Sequence, residues 1–103
     1  MLMKIYISGK ISGIEDIAYN NFEKAEKEIS QMDDNIFFDI KIVNPMKLPH
    51  LHTRTWEKYM VEDLKALLEC DTIYMLKNWN ESKGATIERQ LALQLGFNII
   101  YQE

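Results

Sequence analysis

The chain has 103 residues, of which 47% are hydrophobic and 27% charged, an ordinary globular balance that argues against disorder. Lysine and arginine number 12 against 16 acidic residues, and the net charge of −4 argues against sequence-independent binding to nucleic-acid backbones, which needs clustered cations. The single cysteine, Cys70, rules out an internal disulfide framework and fits a reducing compartment.

The first residues, MLMKIYISG, are too few and too soon interrupted for a signal peptide or membrane span, so a cytoplasmic protein is expected. Met3–Ser8 reads as a short apolar strand. A helix is expected over 20–32, with Asn20 at the cap and Glu23 three residues on in capping-box spacing. Its apolar stripe would be Phe22, Ala25, Ile29 and Met32, and Glu23, Lys24, Glu26, Lys27 and Glu28 would form a solvated face. Ile40–Pro45 is a second strand, closed by Asn44-Pro45 because proline cannot extend a ladder.

Residues 46–54 read as a loop. His50 and His52 form an H-x-H there, but no acid or cysteine sits at ligand spacing, so a solvated loop is expected and no metal. Thr55 caps a helix ending near Cys70, with Trp56, Met60, Leu64 and Leu67 inward. Thr72–Leu76 is a third strand. Ser82 caps a helix over Lys83–Leu95, which Gly96 stops, and Asn98–Gln102 is a fourth strand. The six methionines read as core filler. With no linker, repeat or low-complexity tract, one domain over 1–103 is expected.

The order βαβαβαβ predicts a four-stranded parallel sheet between helix layers, a three-layer α/β/α sandwich of flavodoxin-like type. Ligands of such sheets bind beyond the carboxyl ends of the strands, near the point where strand order reverses. The loops SGKISG, NPMKLP and KNWNESKG leave those ends.

Two carboxylates stand out against this pattern. On the last helix Ile87, Leu91, Ala92 and Leu95 form the apolar stripe, and Glu88 lies three before Leu91 and four before Ala92, on much the same face. On the preceding helix Asp63 lies three after Met60 and four before Leu67. An unpaired buried carboxylate is costly, so such groups are paired, hydrogen-bonded or used. Periodicity alone equally allows each to flank its stripe and reach solvent. Trp79, beside the Ser82 turn, reads either as a ring that stacks on a base or as a cover for the helix end.

The segments YISGKISG (6–13), EDLKALLECDTIYML (62–76) and SKGATIERQLALQLGFNII (82–100) resemble the nucleoside 2-deoxyribosyltransferase superfamily. The closest resemblance is to its short phage and prophage proteins of unknown function, and the chain is also similar to deoxynucleoside-monophosphate N-hydrolases. The resemblance implies that Glu88 matches a glutamate that attacks the anomeric carbon, Asp63 a proton donor or sugar-positioning aspartate, and Tyr6 a tyrosine beside both. It further implies that Gly9, Lys10, Ile11, Ser12 and Gly13 form the loop that holds base or 5′-phosphate, and that Ser82 reaches the phosphate. Asn44, Trp79 and Gly84 complete the expected substrate-binding set. Lys10 and Ser12 stand where the hydrolases carry an arginine, and Arg89-Gln90 where Leu-Gly is usual.

That resemblance implies cleavage or exchange of the N-glycosidic bond of a deoxynucleoside or deoxynucleotide, by an N-hydrolase or a deoxyribosyltransferase, without a cofactor. A carboxylate can stabilise or capture the oxocarbenium-like sugar, and a second acid of raised pKa can protonate the leaving base. The glycines and the helix start at Ser82 offer backbone N–H groups that favour a phosphate. Expected partners are a small nucleoside or nucleotide and further copies of the chain, as dimer or larger, with neither a nucleic-acid polymer nor a membrane. A non-catalytic nucleotide-binding module and an interaction protein on the same fold stay open as alternatives.

Overall fold

A computed structural model describes residues 2–32, 39–50 and 55–103. In chain order these form β1 (Leu2–Ser8), α1 (Glu15–Gln31), β2 (Asp39–Val43), a 3-10 turn (Pro45–Lys47), α2 (Trp56–Leu68), β3 (Thr72–Met75), a second 3-10 turn (Trp79–Glu81), α3 (Lys83–Leu95) and β4 (Asn98–Tyr101). The strands pair in parallel in the order β2-β1-β3-β4. This is the three-layer α/β sandwich with a four-stranded parallel sheet expected from the sequence.

Strand order reverses at β1, whose two neighbours are β2 and β3, so the two halves of the sheet wind to opposite faces. Side chains alternate across β1 accordingly. Ile5 and Ile7 pack with Phe22, Ala25 and Ile29 of α1, together with Tyr74 and Leu76. Tyr6 faces the other way, among Leu67 of α2, Ile73 and Met75 of β3, and Ala85 and Ala92 of α3. The topological switch therefore opens on the layer that carries both α2 and α3.

Two glycines serve this geometry. A Cβ on Gly9, the residue after β1, would stand 2.4 Å from Cδ1 of the buried Leu76, so only glycine lets the chain leave the strand there. Gly96 closes α3 at φ 75°, the left-handed cap that starts the turn into β4.

The first helix differs from its expected bounds. It begins at Glu15, one turn and more before Asn20, which is an exposed residue of the helix body. Burial of Ala18 extends the apolar stripe Phe22–Ala25–Ile29 by one turn upstream and outweighs a good cap residue at position 20. A Glu15 carboxylate oxygen accepts from the Gly13 N–H at 3.0 Å, which steadies the new start. At the other end Met32 is the C-cap and 47% exposed, so it leaves the stripe. The acids of α1 are also less solvated than expected. Glu23 and Glu26 pair with Lys47 at 2.9 and 3.2 Å, and Glu28 accepts from Gln102 Nε2 at 2.7 Å.

Candidate active site

The cleft at the switch is assembled from β1 and the loop after it, from Glu15 and Phe22 of α1, from the 3-10 turn at Pro45, and from α2 and α3. Thr55 caps α2, its hydroxyl oxygen accepting from Lys58 N–H at 3.3 Å, and α2 then sends Trp56, Tyr59, Met60 and Asp63 toward the cleft at helical spacing. Ser82 caps α3 by accepting from Ala85 N–H at 3.1 Å. The buried face of α3 is Ala85, Glu88 and Ala92. Ile87 and Leu95, expected inside, are 38% and 49% exposed. Glu88 therefore sits at the centre of the buried face, between two alanines small enough to let the helix approach the sheet.

Each of its carboxylate oxygens accepts one hydrogen bond. Tyr6 O–H donates to Glu88 Oε2 at 2.6 Å, and Ser8 O–H donates to Oε1 at 2.6 Å. Glu88 is only 4% exposed. Burial pushes its pKa from 4.5 up to about 7, the Ser8 and Tyr6 hydrogen bonds oppose that rise by favouring the anion, and nearby Asp63 adds to it. The Tyr6 phenol is held well above its ordinary value by burial first and by Glu88 second, so it stays a donor.

Asp63 lies in the same cleft and on the same side of the sheet, 7% exposed. Its Oδ1 is 2.9 Å from His50 Nε2, and the His50 ring packs against Tyr59 with centroids 4.8 Å apart. Burial raises the Asp63 pKa, and the hydrogen bond to His50 opposes the rise. An ionised Asp63 accepts from His50 in this bond, and a protonated Asp63 donates to it. His50 is thus a half-buried partner of an acid, rather than the solvated loop residue expected. His52 of the H-x-H lies outside the described residues. Among the described residues, no three His, Cys, Asp or Glu side chains gather into a set that could hold a metal ion.

The cleft has a volume of about 500 Å³, within the range of small-molecule sites. Tyr6, Asp63 and Glu88 line it, as do Gly9, Ile11, Ser12, Ser82 and Gly84 from the expected substrate-binding set. Lys10 lies instead in an adjoining cleft of about 280 Å³, which shares Ser12, Trp56, Ser82 and Gly84 with the first, and its ammonium is 3.7 Å from Glu81. Three expected residues line neither cleft. Gly13 is exposed. Asn44 is buried and caps the turn at Pro45, accepting from Met46 N–H at 2.9 Å and donating to Glu26 at 3.3 Å. Trp79 packs under the Arg89 guanidinium, 4.7 Å from the ring centre, and beside Tyr101, so it covers the helix side.

Ser8 and His50, which bond the two acids, were not among the expected site residues, nor were Trp56 and Tyr59 of the cleft wall. Ser8 had a legible signal: it lies two residues after Tyr6 on one strand, hence on the same face. His50 had none, since its partner is thirteen residues away on α2.

Over residues 3–101 the chain matches the family described as Domain of unknown function (DUF4406), and it belongs to that family. No curated protein matches it. Among solved structures, it is similar to a 2-deoxyribosyltransferase from the psychrotolerant bacterium Bacillus psychrosaccharolyticus, described as a biocatalyst for nucleoside synthesis. The TM-score is 0.63 at 17% identity, over 95% of this chain and 70% of that one. At this identity the likeness is one of fold, and it makes the sandwich deoxyribosyltransferase-like.

Proposed function

We propose that this DUF4406 protein, a single domain over 1–103, cleaves or exchanges the N-glycosidic bond of a deoxynucleoside or deoxynucleotide. Glu88 attacks the anomeric carbon, the C–N bond breaks, and its electron pair leaves with the base. Asp63, backed by His50, gives the base its proton. Water or a second base then takes the sugar from Glu88 and completes hydrolysis or transfer. Tyr6 and Ser8 hold the carboxylate for attack, and Ser12, Ser82 and Gly84 frame the end of the sugar where the N-terminus of α3 suits a hydroxyl or phosphate.

The observation that carries this reading is a buried carboxylate fixed by two 2.6 Å hydrogen bonds at a strand's carboxyl end, with a second raised-pKa acid in the same cleft. The fold likeness to a 2-deoxyribosyltransferase agrees with it. No described helix is long and apolar enough to cross a membrane, and the lone buried Cys70 is consistent with the cytoplasm.

The test is incubation with the four common deoxynucleosides and their 5′-monophosphates, with and without a second free base, followed by chromatography. Free base or an exchanged nucleoside is expected from the wild type, falling by several orders of magnitude in Glu88→Ala. A second reading, binding without turnover, draws on the pKa of about 7, which leaves Glu88 only partly ionised at neutral pH. Calorimetric binding with no base released at any pH would favour it over catalysis.

A further inference from the structure

Most aromatic rings around the cleft are already committed. Tyr6 and Phe22 are fully buried, Tyr6 holding Glu88 and Phe22 packing in the core under α1. Tyr59 and His50 pack on each other, and His50 also bonds Asp63. Trp56 differs. It is the first residue of α2, half-buried, and it belongs to the walls of both clefts. Lys83 Nζ stands 4.8 Å from its ring centre. Lys83 lines the smaller cleft and not the larger one. Trp56 also lines the larger cleft together with Asp63, seven residues or about 10 Å further along α2.

Resting on the reading of this cleft as a nucleoside site, we propose that Trp56 is its base-recognition residue, packing its indole against the heterocycle from the wall of the larger cleft while Lys83 braces the ring. The chemistry favours a planar, electron-poor ring there. Aromatic stacking on a base is sequence-tolerant because every base offers a π-face, and a cation against the ring holds the indole in place. Discrimination among bases would then come from Asp63 and His50 at the far end of the stripe. The role expected for Trp79 passes to Trp56, which reaches the cleft where Trp79 does not.

The chain contains two tryptophans, so each can be read separately by fluorescence. Wild type, Trp79→Phe, Trp56→Phe and Trp56→Leu are titrated with 2′-deoxyadenosine, 2′-deoxycytidine, thymidine and their 5′-monophosphates, with calorimetry in parallel. Trp79→Phe should keep a ligand-dependent quench of the remaining indole, and Trp56→Phe should lose it. Trp56→Leu should weaken calorimetric binding roughly tenfold to a hundredfold, and Trp56→Phe should weaken it less. A quench that persists in Trp56→Phe, or affinity in Trp56→Leu within twofold of wild type, would overturn the assignment while the nucleoside reading stands. A wild type that binds none of these ligands at millimolar concentration refutes the nucleoside reading, and the Trp56 proposal with it. Trp79→Phe carries the native Trp56, so the fluorescence arm holds even if Trp56→Leu fails to fold.

Discussion

Replacing Glu88 with glutamine isolates one proton that links the stability of the fold to its proposed chemistry. Burial raises the Glu88 pKa from 4.5 to about 7, a difference worth about 3 kcal/mol between the two protonation states. The folded chain therefore holds a proton between those pH values that the unfolded chain has released. The stabilising contribution is complete below the unfolded value and is lost as pH rises through about 7. Glutamine imitates the protonated acid permanently, with one oxygen to accept from Tyr6 or Ser8 and an amide that can donate to the other hydroxyl.

Urea unfolding at pH 5 should give nearly equal stabilities for wild type and Glu88→Gln. At pH 9 the variant should be ahead by about 2–3 kcal/mol, on the order of 10 °C in midpoint for a chain of this size. Asp63 titrates in both proteins, so the difference between them reports Glu88. Base release should run the opposite way in the wild type, rising with pH through about 7 as the nucleophile ionises, and should be lost in the variant. A stability difference that does not change between pH 5 and 9 would refute the argument that Glu88 is buried against its own charge.

Tyr6→Phe and Ser8→Ala each remove a donor to the ionised carboxylate, so the acid limb of base release should move up by about one pH unit or more, and an unmoved limb would show that the donor does not favour the anion. Asp63→Asn should slow release of bases that need a proton to leave, while an N7-methylated purine deoxynucleoside, whose base departs without one, should regain most of the rate; equal losses for both would exclude Asp63 as the acid. Gly9→Ala should cost about 1–3 kcal/mol in urea, because its Cβ would stand 2.4–2.8 Å from three Leu76 side-chain atoms, and a wild-type midpoint would contradict that packing. Exposed Val61 and Leu68 on α2, with Ile87 and Leu95 on α3, support association of copies, so sedimentation at micromolar concentration should give a dimer or larger, and a monomer would count against it.

The sheet was readable because its signals are local and periodic. The runs MKIYIS, IKIV and TIYM are short and apolar between turn residues, and the helices between them make the crossovers that parallel pairing requires. Thr55, Ser82 and Gly96 were readable for the same reason, since a cap satisfies backbone groups within its own turn. The start of α1 was not. Its cap position is Ile14 with no side-chain bond, and what sets the helix start is burial of Ala18 in the core, a tertiary fact that overrides the capping box at Asn20.

The site shows where periodicity misleads in a physical way. On α3 the larger apolar residues, Ile87 and Leu95, suggested the inward face, yet the helix turns its small face to the sheet. Alanines at 85 and 92 allow close approach, and that approach brings Glu88 within 2.6 Å of two hydroxyls on β1. A helix packed through Ile87 and Leu95 would stand farther off and leave the carboxylate without donors, at the full cost of burying it. The oddly placed charge and the oddly small residues are therefore one feature. Glu88 tolerates burial because Tyr6 and Ser8 lie on one strand face, and those hydroxyls reach it because Ala85 and Ala92 lack bulk. A bulky residue at either alanine, such as Ala92→Leu, should push α3 outward and lengthen both bonds. It should also raise the Glu88 pKa above about 7 without touching the acid itself, which the pH dependence of base release would report.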